Sequence, residues 1–408
     1  MTRRRSLVLC LLAMLPALAT TLPISVRADD DSKKEKVSVR CGKGKTINDV
    51  LAERRGPLTI EVVGTCFEPV TVASNDVTLK AGTPGSGIQG TDSTVDTLTV
   101  TADRFVLDGL HVTGGRNAIV VTGSQAQLRN CTTLGAGSGI LSGIGILFSQ
   151  GASGTVDTCE VTGNGADGMM IDGALAVITK SRFTANGRNG VFVFGGGTAR
   201  IGLTNSFAVG PNVISDNRGN GLHITQNSMA LVYGNTISGN GVNPASPVGR
   251  FGVILFQSRA DLIGGNTIMG NFGTGVALFS STAFIGDPGF GLAFTNTIRG
   301  NSTAAPTAGV SAGIASSVVI RAATIDANNG AGVALSERST AVLFSANVTN
   351  NTANGVQLIQ GSGVVFRPFA PLSVISGNTG FDLKCFDTES SITTGYAGSP
   401  TIDGCTGF

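Results

Sequence analysis

Asn235-Thr-Ile-Ser-Gly-Asn240 is the stretch of sequence that decides the fold. Three other segments share its form, with a second asparagine five residues after the first: Asn212-Val-Ile-Ser-Asp-Asn217, Asn266-Thr-Ile-Met-Gly-Asn271 and Asn296-Thr-Ile-Arg-Gly-Asn301. Similar segments that recur at intervals of 20 to 50 residues are typical of proteins built from stacked structural units. We therefore expect this chain of 408 residues to form a solenoid of short repeats.

A glycine followed by alternating apolar residues comes a few residues after each asparagine segment. Examples are Gly190-Val-Phe-Val-Phe, Gly221-Leu-His-Ile, Gly252-Val-Ile-Leu-Phe, Gly275-Val-Ala-Leu-Phe, Gly332-Val-Ala-Leu and Gly355-Val-Gln-Leu. From Gly190 to Gly275 the intervals are 31, 31 and 23 residues, and Gly332 and Gly355 are also 23 apart, which indicates a base unit of roughly 22 residues with insertions at one place. Apolar residues that alternate with period two predict β-strands and argue against a helical repeat.

Stacked units would place equivalent residues in columns about 4.8 Å apart. The column of Asn212, Asn235, Asn266 and Asn296 is then predicted to form a ladder, because each buried amide can bond the next one and the backbone of the turn. Earlier units contribute Leu110, Cys131, Cys159 and Ser181 to the same column.

This pattern resembles the right-handed parallel β-helix superfamily of pectate lyases, polygalacturonases, mannuronan epimerases and phage tailspikes. The resemblance covers about residues 57–380 and is specific for the fold but not for the chemistry. We predict an all-β, right-handed, single-stranded parallel β-helix of about 10–12 coils. An N-terminal linker and cap over residues 29–56 and an irregular, disulfide-closed C-terminal cap over 381–408 are expected to cover its ends.

The N-terminal cap is expected to contain a short helix. Thr46 is a suitable N-cap residue, and Gly56 would end the helix.

Residues 1–28 are predicted to be a secretory signal peptide. Arg3 to Arg5 precede an apolar stretch from Ser6 to Leu22, and Val26 and Ala28 form a small-residue cleavage pattern. Cleavage after Ala28 would leave a secreted or periplasmic chain without a transmembrane anchor, and an uncleaved anchor is the alternative.

Six cysteines follow the predicted signal peptide: Cys41, Cys66, Cys131, Cys159, Cys385 and Cys405. An even number in an oxidising compartment predicts disulfides, and the neighbours fall into three local pairs, although spacing alone leaves the connectivity open. For the stacked pair Cys131 and Cys159, two buried thiols are the alternative. A metal site is disfavoured because the chain has no Cys-x-x-Cys and only two histidines. No cofactor is expected, and a bound Ca²⁺ ion is left as an open alternative.

Composition restricts the class of partner. The formal net charge is +2, and no basic stripe or aromatic pattern typical of RNA-binding modules accompanies it, so nucleic acid is not expected as a ligand.

The outward side of the glycine-led strand is mostly apolar. Its first outward column is Val120, Leu147, Met170, Phe192, His223, Ile254, Ala277, Ala334 and Gln357. Asp172, in the second column, and His223 are the titratable residues, and they lie two coils or about 10 Å apart. We favour His223 as an ordinary surface residue, and a catalytic pair with Asp172 is the alternative.

Phe192, Phe194, Phe256 and Phe279 would form an apolar strip on this side. Insertions such as Val242 to Arg250 could fold over the strip, which is the explanation we favour. A protein partner or a polysaccharide bound there would explain it as well.

A second group of candidate catalytic residues lies on earlier coils. Asp157, Glu160, Lys180 and Arg182 are expected close together, near the columns of Asp108 with Arg129 and of His111. Stacked opposite charges are most simply a ladder of surface ion pairs, but an acid beside Lys and Arg also has the groups that an active site needs.

The sequence therefore favours an exported binding or structural protein. The Asn-Thr-Asp and Gly-His-Gly motifs of polygalacturonases and the Asp-Pro-His-Glu motif of the epimerases are absent. The alternative is a polysaccharide-modifying lyase, epimerase or glycoside hydrolase, which rests on analogy of fold alone.

Overall fold

The computed structural model describes residues 35–54, 56–137, 142–204, 208–242, 250–287, 295–368, 371–393, 396–397 and 400–405. The predicted signal peptide, residues 29–34 of the predicted linker and residues 243–249 of the predicted covering insertion lie outside them.

Three parallel sheets make up the body of the protein, and the chain passes through the first, second and third sheet in every coil. The first sheet has 15 strands: Glu35–Arg40, Leu58–Val63, Val77–Ala81, Phe105–Asp108, Gln125–Arg129, Ser153–Asp157, Leu175–Thr179, Thr198–Ile201, Met229–Tyr233, Arg259–Ile263, Thr282–Gly286, Ser317–Arg321, Thr340–Phe344, Gly363–Phe366 and Ser391–Thr393. The second sheet has 14 strands: Thr65–Cys66, Gly87–Gly90, His111–Gly114, Thr132–Leu134, Glu160–Thr162, Arg182–Thr184, Val213–Ser215, Thr236–Ser238, Thr267–Met269, Asn296–Arg299, Ala323–Asp326, Asn347–Thr349, Ser373–Ser376 and Tyr396–Ala397. The third sheet also has 14 strands: Val70–Val72, Leu98–Val100, Ile119–Thr122, Ile146–Ser149, Met169–Asp172, Val191–Phe194, Leu222–Thr225, Val253–Phe256, Val276–Phe279, Thr307–Gly313, Gly330–Leu335, Val356–Leu358, Leu383–Cys385 and Ile402–Asp403.

The predicted right-handed parallel β-helix is confirmed by this topology. Each strand pairs with the equivalent strand one coil away, as Leu222–Thr225 pairs with Val253–Phe256. Apolar residues that point inward are sealed from solvent in coil after coil of the described chain, for example Ile237, Leu255 and Ile285, and they belong to one continuous core. Complete burial of such a side chain stabilises the fold by about 1.5–3 kcal/mol.

The predicted number of 10–12 coils was too low, because the second and third sheets each contain 14 strands. Many coils lack the insertion, so Glu160 and its register partner Arg182 are only 22 residues apart. The C-terminal segment is not an irregular tail either. Leu383–Cys385 and Ile402–Asp403 extend the third sheet in register, because they keep the apolar alternation of the other coils.

The predicted N-terminal helix is present over Ile47–Glu53. Thr46 is its N-cap and forms a capping box with Asp49. The helix ends at Glu53 with Arg54 as C-cap, before the predicted Gly56. Glu68 Oε1 accepts a hydrogen bond from the Ile47 backbone at 2.9 Å, so the helix is fastened to the start of the first coils.

Asparagine side chains are stacked inside the turns between the first and second sheets. The Nδ2 atom of Asn212 donates to Oδ1 of Asn235 at 2.9 Å, and that of Asn266 donates to Oδ1 of Asn296 at 2.9 Å. All of these residues are buried, and their amides also bond the backbone, as Asn266 does with the carbonyl of Val232.

A longer ladder was missed in the sequence, although its residues include the second asparagine of each quoted segment. It runs through Asn164, Asn186, Asn217, Asn240, Asn271, Asn301, Asn328, Asn351 and Asn378. This ladder explains the glycine that leads each third-sheet strand. A Cβ atom on Gly252 would lie 2.7 Å from Nδ2 of Asn271, so a larger residue would push the ladder apart.

The predicted disulfides are confirmed as Cys41–Cys66, Cys131–Cys159 and Cys385–Cys405. Their sequence separations of 25, 28 and 20 residues each correspond to one coil. The Cys131–Cys159 bond continues the first asparagine column, because the Cys159 backbone donates to Ser181 Oγ and the Ser181 backbone donates to Asn212 Oδ1.

Candidate functional site

The outer face of the third sheet carries the column of side chains that includes His223. In register order this column is Val120, Leu147, Met170, Phe192, His223, Ile254, Ala277, Ser311, Ala334 and Gln357. Ser311, between Ala277 and Ala334, was not placed there from the sequence. The face is apolar over several consecutive coils.

Part of this face is covered by the chain itself. Ile144 and Ala166, in turns that precede third-sheet strands, pack with Met170 and Phe192 in a small apolar cluster outside the main core. Phe192 is only 8% exposed, so this end of the predicted apolar strip is covered, although by other turns than the expected insertion. The residues that cover it come from turns on coils that precede its own, not from the described ends of the Val242 to Arg250 insertion.

The open part of the face is an aromatic patch, which we define as His223, Phe251, Ile254, Phe256 and Phe279. Phe256 is 41% exposed and is the register partner of half-buried Phe279. The ring of Phe251 meets that of Phe279 edge-on, with centroids 6.4 Å apart. The patch therefore presents ring faces and edges on neighbouring coils.

His223 lies at the border between the covered cluster and the aromatic patch. Its imidazole is stacked on the Phe192 ring, with centroids 4.8 Å apart and 28° between the planes. Burial, and to a smaller extent the charge of Arg188, lower the pKa of His223 from 6.5 to about 4. The imidazole is therefore neutral at neutral pH and has one donor and one acceptor nitrogen.

Cationic side chains follow one edge of the patch. Three consecutive coils each carry an arginine in the turn before the third-sheet strand: Arg188, Arg218 and Arg250. Arg218 is exposed, and the side chain of Arg188 is 36% exposed. We call these three residues the arginine edge.

Arg188 is held from behind by a buried carboxylate. Asp167 Oδ2 lies 3.7 Å from Arg188 Nη2, and Asp167 Oδ1 accepts from Asn189 Nδ2 at 2.8 Å. Burial raises the pKa of Asp167, against the opposing effects of Arg188 and Asn189. Because Asp167 is fully buried, it can position Arg188 but cannot contact a ligand.

Exposed amides follow the other edge of the patch. Gln226 and Gln257 come directly after two neighbouring third-sheet strands, and their side chains form no hydrogen bond with another described residue. They remain available to hydroxyl groups of a ligand.

The other candidate residues form a separate corner cluster, defined as Asp157, Glu160, Lys180 and Arg182. Asp157 Oδ1 accepts from Thr179 Oγ1 at 2.7 Å and lies 3.9 Å from Lys180 Nζ. Glu160 and Arg182 are exposed register partners on the second sheet. The corner cluster lies on the first and second sheets, whereas His223 lies on the third, so the structure does not bring all five candidates together.

Neither group has the arrangement of a metal centre. Among residues 35–405, as far as they are described, no three His, Cys, Asp or Glu side chains are grouped to hold an ion. Within the same ranges, no helix is long and apolar enough to cross a membrane.

Solved structures similar to this one include two modules of Azotobacter vinelandii. The A-module of mannuronan C-5 epimerase AlgE4 is 17% identical, with a TM-score of 0.56 over 81% of this chain and 94% of that chain. The AlgE6 A-module is 16% identical, with a TM-score of 0.52 over 82% and 93%. The periplasmic alginate epimerase AlgG is 13% identical, with a TM-score of 0.50 over 88% and 82%. At these identities the likeness concerns the fold.

The sequence itself matches a family model described as right handed beta helix region, over residues 70–212 and 174–368. No curated protein matches the chain. Because the family model covers more than half of the sequence and the three sheets run through the same residues, the chain belongs to the right-handed β-helix family.

Proposed function

We propose that this protein is an exported, non-catalytic polysaccharide-binding β-helix whose ligand lies along the aromatic patch. The observation that carries the proposal is the arrangement of the third-sheet face, where rings on neighbouring coils stand between the arginine edge and the exposed amides of Gln226 and Gln257.

Each part of this face suits a sugar polymer. The rings of Phe256 and Phe279 offer apolar surface for the C–H faces of sugar rings, and the amides of Gln226 and Gln257 offer donors and acceptors for hydroxyl groups. Guanidinium groups such as that of Arg218 pair with carboxylates, so the arginine edge favours a polymer that carries acidic groups. Similar structures named as mannuronan and alginate epimerases support a polysaccharide as the ligand class.

Binding is better supported than catalysis by the positions of the titratable groups. Asp172 and His223 differ by two coils in register, or about 10 Å, and thus are not within hydrogen-bonding reach of each other. The corner cluster consists of exposed charges, with Lys180 and Asp157 58% and 39% exposed, as in ordinary surface ion pairs. A polysaccharide-modifying enzyme that acts through this cluster is the alternative.

The disulfides support export, since three such bonds are typical of an oxidising compartment. We propose that residues 1–28 direct the chain there and are removed after Ala28.

Isothermal titration calorimetry with alginate, polygalacturonate and the neutral polymer dextran tests the proposed function. We expect the acidic polymers to bind, and Phe256→Ala to weaken this binding roughly tenfold because a ring platform is lost. Phe67→Ala is the control, because Phe67 is an even more exposed phenylalanine, at 66%, and lies far from the patch along the chain. Arg218→Ala should weaken binding of the acidic polymers and make it less sensitive to salt.

Assays of unsaturated products and reducing ends on the same three polymers test the enzymatic alternative. We expect no turnover. Turnover that is lost in Glu160→Gln or Lys180→Ala would replace our proposal with an enzyme whose site is the corner cluster, and no binding by any of the polymers would contradict the proposal outright.

A further inference from the structure

His223 is the polar member of an otherwise apolar run of the third-sheet column. Its register partners are Phe192 and Ile254, and the run from Val120 to Ala277 contains no other polar side chain. A histidine in this setting has an energetic cost that an aliphatic residue would avoid. Its presence points to a hydrogen bond that forms when the face is occupied.

The orientation of the imidazole is set before any ligand arrives. Stacking on Phe192 at 4.8 Å holds the plane of the ring, and Phe192 is itself packed against Ile144, Ala166 and Met170. Because Phe192 is buried, the support under the imidazole is rigid. A prearranged polar group binds its partner without a further loss of side-chain freedom.

The nitrogens of His223 keep some access to solvent, although the side chain as a whole is only partly exposed. Neither is sealed from solvent in the residues that the structure describes, and neither forms a hydrogen bond there. Since the imidazole is neutral, it has one N–H donor and one acceptor. A sugar hydroxyl is both a donor and an acceptor, so it can bond to either nitrogen.

We propose that His223 is the specificity-determining residue of the aromatic patch, where it forms a hydrogen bond with one free hydroxyl of the bound polysaccharide. The inference rests on the proposed function and adds to it: the rings supply contact area that tolerates many sugars, whereas His223 selects for a sugar whose hydroxyl is not blocked. A site that is built to hydrogen-bond a hydroxyl rejects an analogue that lacks it more strongly than an apolar site can.

The test compares one polymer in two forms. Whichever of alginate, polygalacturonate or dextran binds the wild type is O-acetylated chemically, and both forms are titrated against the wild type and three variants. His223→Phe keeps an aromatic ring for the stack on Phe192 and removes the hydrogen bond. His223→Gln keeps a donor and an acceptor, and Ala334→Ser is a control further along the same column, outside the aromatic patch.

We expect the wild type to prefer the free polymer roughly tenfold, as the loss of one hydrogen bond predicts. His223→Phe should lose this preference by binding the free polymer more weakly, while its affinity for the acetylated polymer changes little. His223→Gln and Ala334→Ser should keep most of the preference. Circular dichroism and the urea midpoint of each variant verify that it is folded.

A wild type that binds a polymer but shows the same preference in His223→Phe would overturn this inference and leave the proposed function intact. A wild type that binds none of the three polymers would overturn both. The two failures are therefore distinguishable.

Discussion

The side-chain amide of Asn235 donates a hydrogen bond to Oδ1 of Asn266 at 3.2 Å, although the two residues are 31 positions apart in the chain. The backbone N–H of Asn235 donates to the same oxygen at 3.0 Å. One carboxamide therefore joins a side chain and a turn of the adjacent coil. Such bonds make the stacking of coils specific in register, because a shift by one residue would leave the buried backbone donor of Asn235 without an acceptor.

Removal of an amide from the middle of the longer ladder should destabilise the protein strongly. Asn271 Oδ1 accepts from the backbone and the side chain of Asn240, both at 3.0 Å. Asn271→Ala leaves two buried donors unpaired, for an expected loss of about 3 kcal/mol in the free energy of unfolding. Urea denaturation followed by circular dichroism measures the loss.

Asn347→Ala is the control for this variant, because Asn347 is exposed on the second sheet, and it should change stability by less than about 0.5 kcal/mol. Equal midpoints for the two variants would show that the ladder does not hold the coils together.

The glycine that precedes a third-sheet strand should not tolerate replacement by alanine. In Gly252→Ala the new Cβ would lie 2.7 Å from Asn271 Nδ2 and equally close to the carbonyl oxygen of Gly275. We expect a loss of about 2 kcal/mol from overpacking. Gly363→Ala is the opposite case, since its Cβ would meet nothing closer than 3.5 Å, and it should be neutral or slightly stabilising. Thermal unfolding of both variants measures the difference, and a stabilised Gly252→Ala would contradict the packing argument.

The disulfides should differ in what they stabilise. Cys131–Cys159 lies in the body of the helix and closes a loop with a sequence separation of 28, so its replacement by two alanines should cost about 3 kcal/mol of global stability. Cys385–Cys405 ties the last coil, which has a neighbour on one side only.

Its replacement by two alanines should expose the last coil to limited proteolysis and leave the main urea transition nearly unchanged. Mass spectrometry of the fragments locates the cuts. Cuts throughout the chain would contradict a local role for Cys385–Cys405.

The free energy of unfolding should decrease in acid because of the protonation of His223. The pKa of His223 is about 4 in the folded protein, compared with 6.5 for the free side chain. Between these two values the unfolded chain binds a proton that the folded protein does not, so folding weakens as pH falls from about 6.5 to about 4, by up to about 3 kcal/mol. Above this window His223 makes no contribution to the pH dependence.

The difference between wild type and His223→Gln isolates this effect, because buried Asp167, whose pKa is raised, acts with the opposite sign and is present in both proteins. Urea midpoints at neutral pH and near pH 4 measure the difference. A pH dependence that is the same in both proteins would show that His223 is solvated and titrates normally.

The sequence alone was sufficient to predict the contacts within the repeating parts of the molecule. In a solenoid, residues at equivalent positions of successive units become neighbours in space, so the spacing of Asn235 and Asn266 already implied their contact. The same reasoning placed Cys131 beside Cys159 and His223 beside Phe192. The number of coils was underestimated because the interval between equivalent residues varies with the insertions.

Which side chains of the outer face are covered and which are exposed could be learned only from the tertiary structure. Burial of Phe192 results from Ile144 and Ala166, which lie in turns outside the repeating pattern, and no periodicity shows which way such turns fold. The low pKa of His223 has the same origin, because it depends on that burial and on the neighbouring Arg188. Period and alternation thus determined the stacked core of this protein, whereas packing of its irregular turns decided which side chains are left for a ligand.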